Sequence, residues 1–196
     1  GLYTSPHLKD FRERIRIDGK MISKQRVSSF IAKNKTLIQK IHPSFFEITT
    51  SLAFNYFAEQ NIDIAVIEVG LGGRLDCTNI VSPMLSVITN ISLDHTDMLG
   101  DTLQAIAAEK SGIIKPHTPV VIGETDEATA NIFREKAYEQ NSKIVFADQK
   151  YKDRHLPKCQ LKGVYQTNNI KTVLTAIDEL KELGISIKHG DIIKGF

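Results

Sequence analysis

The chain has no tryptophan, and no unbroken apolar stretch approaches the roughly 18 residues that a membrane-spanning helix requires. Lys and Arg total 25 against 23 Asp and Glu, so the net charge of +2 favours neither an anionic nor a cationic partner. No run of five Lys or Arg occurs, and nucleic-acid binding therefore gains no support from the charge pattern. The two cysteines, Cys77 and Cys159, form neither a disulfide framework nor a C-x-x-C metal pair. No G-x-x-x-x-G-K-S/T phosphate loop is present, and no initiator Met or signal sequence stands at the start. These absences point to a reduced, cytoplasmic protein without membrane or nucleic-acid partners. The chain opens directly on Gly1 and closes on Gly195-Phe196 after an apolar segment, so both ends read as cuts.

What is present is ordinary for a folded domain: 41% hydrophobic and 24% charged residues over a length of 196. That length suits one substantial domain, at roughly 100–200 residues per domain. The pattern predicts strands alternating with helices. Ser44–Gln60 reads as a helix, followed by the β-branched run Ile62–Val69, which has the composition of a strand buried on both faces. A glycine-rich turn, Gly70 to Gly73, comes next. Leu85–Ile91, Pro119–Gly123 and Lys143–Ala147 read as further strands, with helices over Thr102–Ile113, Glu127–Asn141 and Asn168–Leu183. The last ends at Gly184, a helix-stop residue. Lys150–Lys162 is polar and irregular. The alternation implies an α/β fold, a three-layer αβα Rossmann-like arrangement with a mostly parallel sheet, forming one domain over residues 1–196.

In such sheets ligands bind beyond the carboxyl ends of the strands, which directs attention to Glu68–Asn79, to Asn90–His95 and to whatever faces them. Glu68 ends one strand and precedes Gly70-Leu71-Gly72-Gly73-Arg74; a carboxylate there is costly unless it meets a cation, and the glycines allow close backbone approach. A dinucleotide turn is the alternative, but the spacing lacks the third glycine of G-x-G-x-x-G. Thr89–His95 follows the next strand, and its His95 is either a ligand or a hydrogen-bonded structural residue. Lys110 lies mid-helix, where a solvated surface lysine is the ordinary reading. Ser5, before Pro6, is a turn residue or a ligand. Spacing alone leaves an enzyme and a binding module unseparated.

Taken together, these segments resemble the folylpolyglutamate synthase/dihydrofolate synthase family of the Mur ligase superfamily. Tyr3–Leu8 and Phe11–Ile15 match its Y-T-S-P-H-L and F-x-E-R-I segments. Glu68–Asn79 matches E-V-G-L-G-G-R-L-D-A-T-N, with Cys77 in place of Ala. Ile88–His95, Leu99–Thr102, Ile106–Lys115 and Leu161–Asn169 match further motifs in order. The resemblance implies the central, ATP-binding domain of an ATP-dependent amide ligase. ATP phosphorylates a carboxylate of dihydropteroate or a folate, and the amine of L-glutamate then displaces the phosphate. It implies two Mg²⁺ ions, one held by Ser5 and Glu68 with the nucleotide phosphates, the other by Glu68 and His95. Lys110 would be carbamylated and join the second ion, which requires a partly desolvated, neutral amine.

By the same resemblance Ser44, Phe45, Phe46, Glu47 and the loop Leu75-Asp76-Cys77 would bind the pterin or folate. Phe46 would stack on the ring, core packing being the alternative. Asn169 would contact the adenine side of ATP, unless it or Asn168 is only a helix cap. The family's phosphate loop would precede Gly1 and its C-terminal domain would follow Phe196, so the parent is expected to be a monomeric ligase and the chain alone inactive. The alternatives are another Mur-type ligase acting on a different acid, or a nucleotide-binding module without catalysis.

Overall fold

A computed structural model describes all residues, 1–196. The chain divides into two compact units, the first comprising Gly1–Leu71 and Leu75–Ile80, the second Gly72–Arg74 and Val81–Phe196.

The first unit is built on a four-stranded sheet in the order β3-β2-β1-β4, from β1 (Leu2–Tyr3), β2 (Ile15–Ile17), β3 (Lys20–Met21) and β4 (Val66–Ile67). Strands β1 and β4 are parallel, with Tyr3 opposite Ile67, whereas β1–β2 and β2–β3 are antiparallel. The β2–β3 hairpin turns through Asp18 and Gly19, both at positive φ (49° and 76°), the backbone that two-residue hairpins require. Helix α1 (Lys24–Ile41) starts at Ser23, whose side chain accepts from the Arg26 N–H, and stops at His42 in the left-handed conformation. Helix α2 (Phe45–Glu59) buries Leu52, Ala53 and Phe57 against Tyr3, Ile15 and Ile22. Val27 and Phe30 of α1 pack on the same cluster.

The run Ile62–Val69 departs from expectation. Only Val66–Ile67 is strand, and Val66 is 63% exposed. It has a partner, β1, on one side only, so it is an edge rather than a strand buried on both faces.

The second unit carries a parallel sheet in the order β5-β6-β7, from β5 (Ser86–Ile88), β6 (Val120–Ile122) and β7 (Ile144–Phe146). Val120, Val121 and Ile122 are all buried, so both faces of the central strand are covered. Short α3 (Thr96–Leu99) and α4 (Leu103–Ser111) connect β5 to β6, and α5 (Ala130–Glu139) connects β6 to β7. Ala107 of α4 and Ala130, Phe133 and Ala137 of α5 join Ile88, Val120, Ile122 and Phe146 in one core. After α6 (Ala147–Lys150), the stretch to Tyr165 is irregular, as its polarity predicts. Helix α7 (Gln166–Glu182) then packs over β6, and α8 (His189–Gly195) follows.

Three of the five strand pairings are parallel, so the architecture is α/β with a mostly parallel arrangement, as expected from the alternation. The hydrogen-bonded strands form two sheets and not one.

Candidate functional site

In the first unit, the parallel pairing of β1 and β4 brings their carboxyl ends side by side. The Glu68 N–H donates to the Tyr3 carbonyl at 2.9 Å, and two residues further along the Ser5 N–H donates to Glu68 Oε2 at 2.7 Å. The structure therefore brings Ser5 and Glu68 together at the sheet edge. Glu68 is exposed, and neither its other carboxylate oxygen nor the Ser5 hydroxyl has a protein partner.

The loop after Glu68 is held by Asp76. Its carboxylate accepts from the Leu71 N–H at 2.9 Å and from the Thr78 N–H at 2.8 Å and hydroxyl. Leu75 is left 78% exposed. The Cys77 thiol meets the Thr50 hydroxyl at 3.3 Å, and that hydroxyl also meets the Tyr3 hydroxyl at 3.0 Å. Burial pushes both the thiol and the phenol above their ordinary values.

The start of α2 separates two functions that the sequence runs together. Ser44 and Glu47 form a reciprocal capping box: the Ser44 hydroxyl accepts from the Glu47 N–H, and the Ser44 N–H donates to Glu47 Oε2 at 2.6 Å. These bonds from Ser44 hold the Glu47 carboxyl below its usual value. Phe46 packs inward, 6.0 Å from the Tyr3 ring and against Gly70, where a Cβ would stand 2.3 Å from its ring. Phe45 points outward and is 60% exposed, with Phe11 edge-on at 5.8 Å and the Arg14 guanidinium at 5.5 Å. The exposed aromatic face at this helix start is therefore that of Phe45, because Phe46 occupies the core-facing position of the turn.

In the second unit, Gly72, Gly73 and Arg74 lie against α4. A Cβ on Gly73 would meet the Glu109 carbonyl at 2.8 Å and the Lys110 Cα at 3.1 Å. The Arg74 N–H donates to that carbonyl at 2.9 Å, and its guanidinium pairs with the Glu109 carboxylate at 2.8 Å. Here the glycines serve close packing of backbone on helix. Lys110, in the last turn of α4, is half-buried, and its ammonium has no protein partner. His95 is exposed and starts α3 at φ 51°, with Nε2 3.8 Å from Asp94 Oδ2. Asn169 lies within α7 rather than at its start, and its amide donates to Gln166 Oε1 at 3.2 Å. The helix begins two residues earlier than its apolar periodicity indicates, so neither Asn168 nor Asn169 caps it.

Residues 19–188 match the Mur ligase middle domain. A dihydrofolate synthase/folylpolyglutamate synthase of Haemophilus influenzae is 38% identical over 92% of this chain and 43% of its own length. The crystal structure of the Thermotoga maritima folylpolyglutamate synthase superposes with a TM-score of 0.84 at 34% identity, covering 100% of this chain and 50% of that one. E. coli FolC, solved in complex with DHPP and ADP, superposes at 0.85 with 29% identity, covering 100% and 49%. The chain thus spans about half the length of these relatives. With the family model matching from Gly19 to Lys188 and both units superposing on these structures, the chain belongs to the Mur ligase middle domain family.

Proposed function

We propose that this chain is the middle domain of an ATP-dependent amide ligase that joins L-glutamate to dihydropteroate, to a tetrahydrofolate, or to both. The observation that carries the reading is the likeness to folylpolyglutamate synthases along the entire chain, in sequence and in fold. The acid carboxylate takes the γ-phosphate of ATP, and the glutamate amine then attacks the acyl phosphate, leaving amide, ADP and phosphate.

Magnesium fits the donor set of the first unit. Glu68 and Ser5 are oxygen donors with free lone pairs beside one another, the ligand type that Mg²⁺ selects while keeping several waters. Ser5 and Glu68 would hold one ion; His95 and Lys110 are the candidate ligands from the second unit, Lys110 in carbamylated form. Bound Mg²⁺ would neutralise charge on the transferring phosphoryl group. The chain's own residues do the remaining work. The Ser5 N–H orients the Glu68 carboxylate, the Asp76 bonds hold the loop that follows, and the exposed Phe45 ring supplies an apolar face for a pterin or folate. Asn169 would lie on the adenine side of the nucleotide.

The test is a ligation assay on the longer protein that contains this chain, with ATP, Mg²⁺, L-glutamate and either dihydropteroate or tetrahydrofolate. Amide product and ADP should form in equal amounts. The 196-residue chain alone should form none, because no phosphate-loop pattern lies within it. ATP turnover with neither acid, or amide formation only with an unrelated acid, overturns the reading.

A further inference from the structure

Arg14 is a buried cation without an anion. It ends the 3₁₀ turn Phe11–Arg14 and is only 9% exposed. Its Nε donates to His7 Nδ1 at 2.9 Å, and the guanidinium lies over the Phe45 ring at 5.5 Å. It makes no ion pair with any carboxylate of the chain. Four acids of this unit are committed to backbone N–H groups instead. Glu13 accepts from Leu8, Lys9 and Asp10, Glu47 from Ser44, Glu68 from Ser5, and Asp76 from Leu71 and Thr78. Nη1 and Nη2 are therefore left without a protein acceptor, and neither is sealed from solvent.

Withdrawing a guanidinium from water without a counter-charge is costly. The bond to neutral His7 and the contact with the Phe45 face offset only part of that cost. A ligand that brings the missing charge would offset the rest, and the planar fork of the two Nη groups matches a carboxylate or phosphate. The setting is also aromatic, since Phe45 is largely exposed and Phe11 stands edge-on to it. An aromatic acid meets both features at once.

We infer that Arg14 is an oxyanion-binding residue whose ligand is the carboxylate of the aromatic acid substrate; this rests on the ligase reading above. The carboxylate is gripped by Nη1 and Nη2 while Phe45 and Phe11 face the ring system. Arg14 would thereby set the register of the acid at the first unit; its carbonyl accepts from the N–H of Thr4, the residue before Ser5, at 3.0 Å.

The test is equilibrium binding to the 196-residue chain by calorimetry, with pteroate, its uncharged carboxamide, inorganic phosphate and ATP as probes. Wild type is compared with Arg14→Gln and Arg14→Lys, each checked for folding by circular dichroism. Wild type should bind pteroate about tenfold or more tightly than the carboxamide, the scale of a hydrogen bond between charged groups. Arg14→Gln should abolish that preference while leaving carboxamide binding unchanged, and Arg14→Lys should retain part of it. A purely structural role would weaken both ligands equally and would overturn the assignment. Should Arg14→Gln fail to fold, Arg14→Lys carries the same comparison. Pteroate preference that survives in both variants sinks the role of Arg14 and leaves the ligase reading standing. Phosphate or ATP binding that depends on Arg14, without any pteroate binding, leaves an oxyanion site and removes the folate-type substrate. A wild-type chain that binds none of the four probes overturns the inference.

Discussion

The backbone N–H of Ser5 and the side chain of Glu68 are joined by a 2.7 Å hydrogen bond across the ends of two parallel strands, 63 residues apart in sequence. The bond uses one carboxylate oxygen and fixes the rotamer of the other, which stays open. Glu68→Gln keeps the size and the possibility of this bond but removes the charge. In the longer protein it should lower ligation by about a hundredfold or more, the scale of losing one charge-stabilising group at a phosphoryl-transfer centre. The apparent Mg²⁺ requirement should rise in parallel, and the circular dichroism spectrum should not change. Turnover and Mg²⁺ dependence equal to wild type would remove Glu68 from the chemistry.

Gly112 makes a structural prediction. A Cβ at this position would stand 2.4 Å from the Arg74 Cα and 2.8 Å from its backbone nitrogen, atoms that cannot swing aside. Gly112→Ala should therefore lift the Gly72–Arg74 segment off α4 and cost about 1–3 kcal/mol, the range for overpacking. Gly190, within α8, has nothing within 4 Å of its notional Cβ. Gly190→Ala should be neutral or stabilising by about 0.5–1 kcal/mol, as for alanine replacing glycine in an exposed helix. Urea denaturation of the two variants side by side checks the contrast; equal stabilities would show that the close approach at Gly112 is relaxed in solution.

Alkaline stability should depend on Tyr151. Its hydroxyl donates to Asp178 at 2.8 Å, and burial, together with that acceptor, pushes its pKa from 10.0 up to about 12. The folded state holds this proton more tightly than the unfolded chain does. The contribution is therefore fully present below pH 10 and is lost as pH rises through about 12. Lys143 adds a loss in the same direction, since its bonds to Glu179 and Glu182 raise its pKa above 10.5. Tyr151→Phe should flatten the fall in melting temperature between pH 10 and 12 without abolishing it, the remainder belonging to Lys143. Melting curves at half-unit steps of pH check this; an unchanged slope in Tyr151→Phe would show that the phenol does not carry the effect.

Much of this protein was determined by its sequence alone. The β-branched runs around Val87, Val121 and Val145, each followed by a helical period, specify the parallel β5-β6-β7 unit, and the central strand β6 alone is buried on both faces. The helix over Phe45–Glu59 was legible from its apolar period at Leu52, Phe54, Tyr56 and Phe57, whereas the Ser44–Glu47 capping box that starts it emerged only in the structure. Position relative to the strand ends likewise singled out Glu68 and His95, whereas Ser5 gained its ligand role only through the family resemblance. Helix α1 went unread because its apolar residues are sparse among Lys, Gln and Ser, although Ser23 marks its start. The β2–β3 hairpin was signalled only by Asp18-Gly19.

The remainder was decided by tertiary structure. Periodicity gave Ile62–Val69 a buried strand, but only strand order tells an edge from a centre, and β4 is an edge. Neighbouring phenylalanines cannot be ranked from sequence. Gly70 and Tyr3 draw Phe46 inward and leave Phe45 outside beside Arg14. Nor does the spacing of Glu13, Glu47, Glu68 and Asp76 show that each satisfies backbone N–H groups. That distribution, which leaves Arg14 without a counter-charge, exists only once residues distant in the chain are brought into one fold, because electrostatic partners are chosen by distance in space.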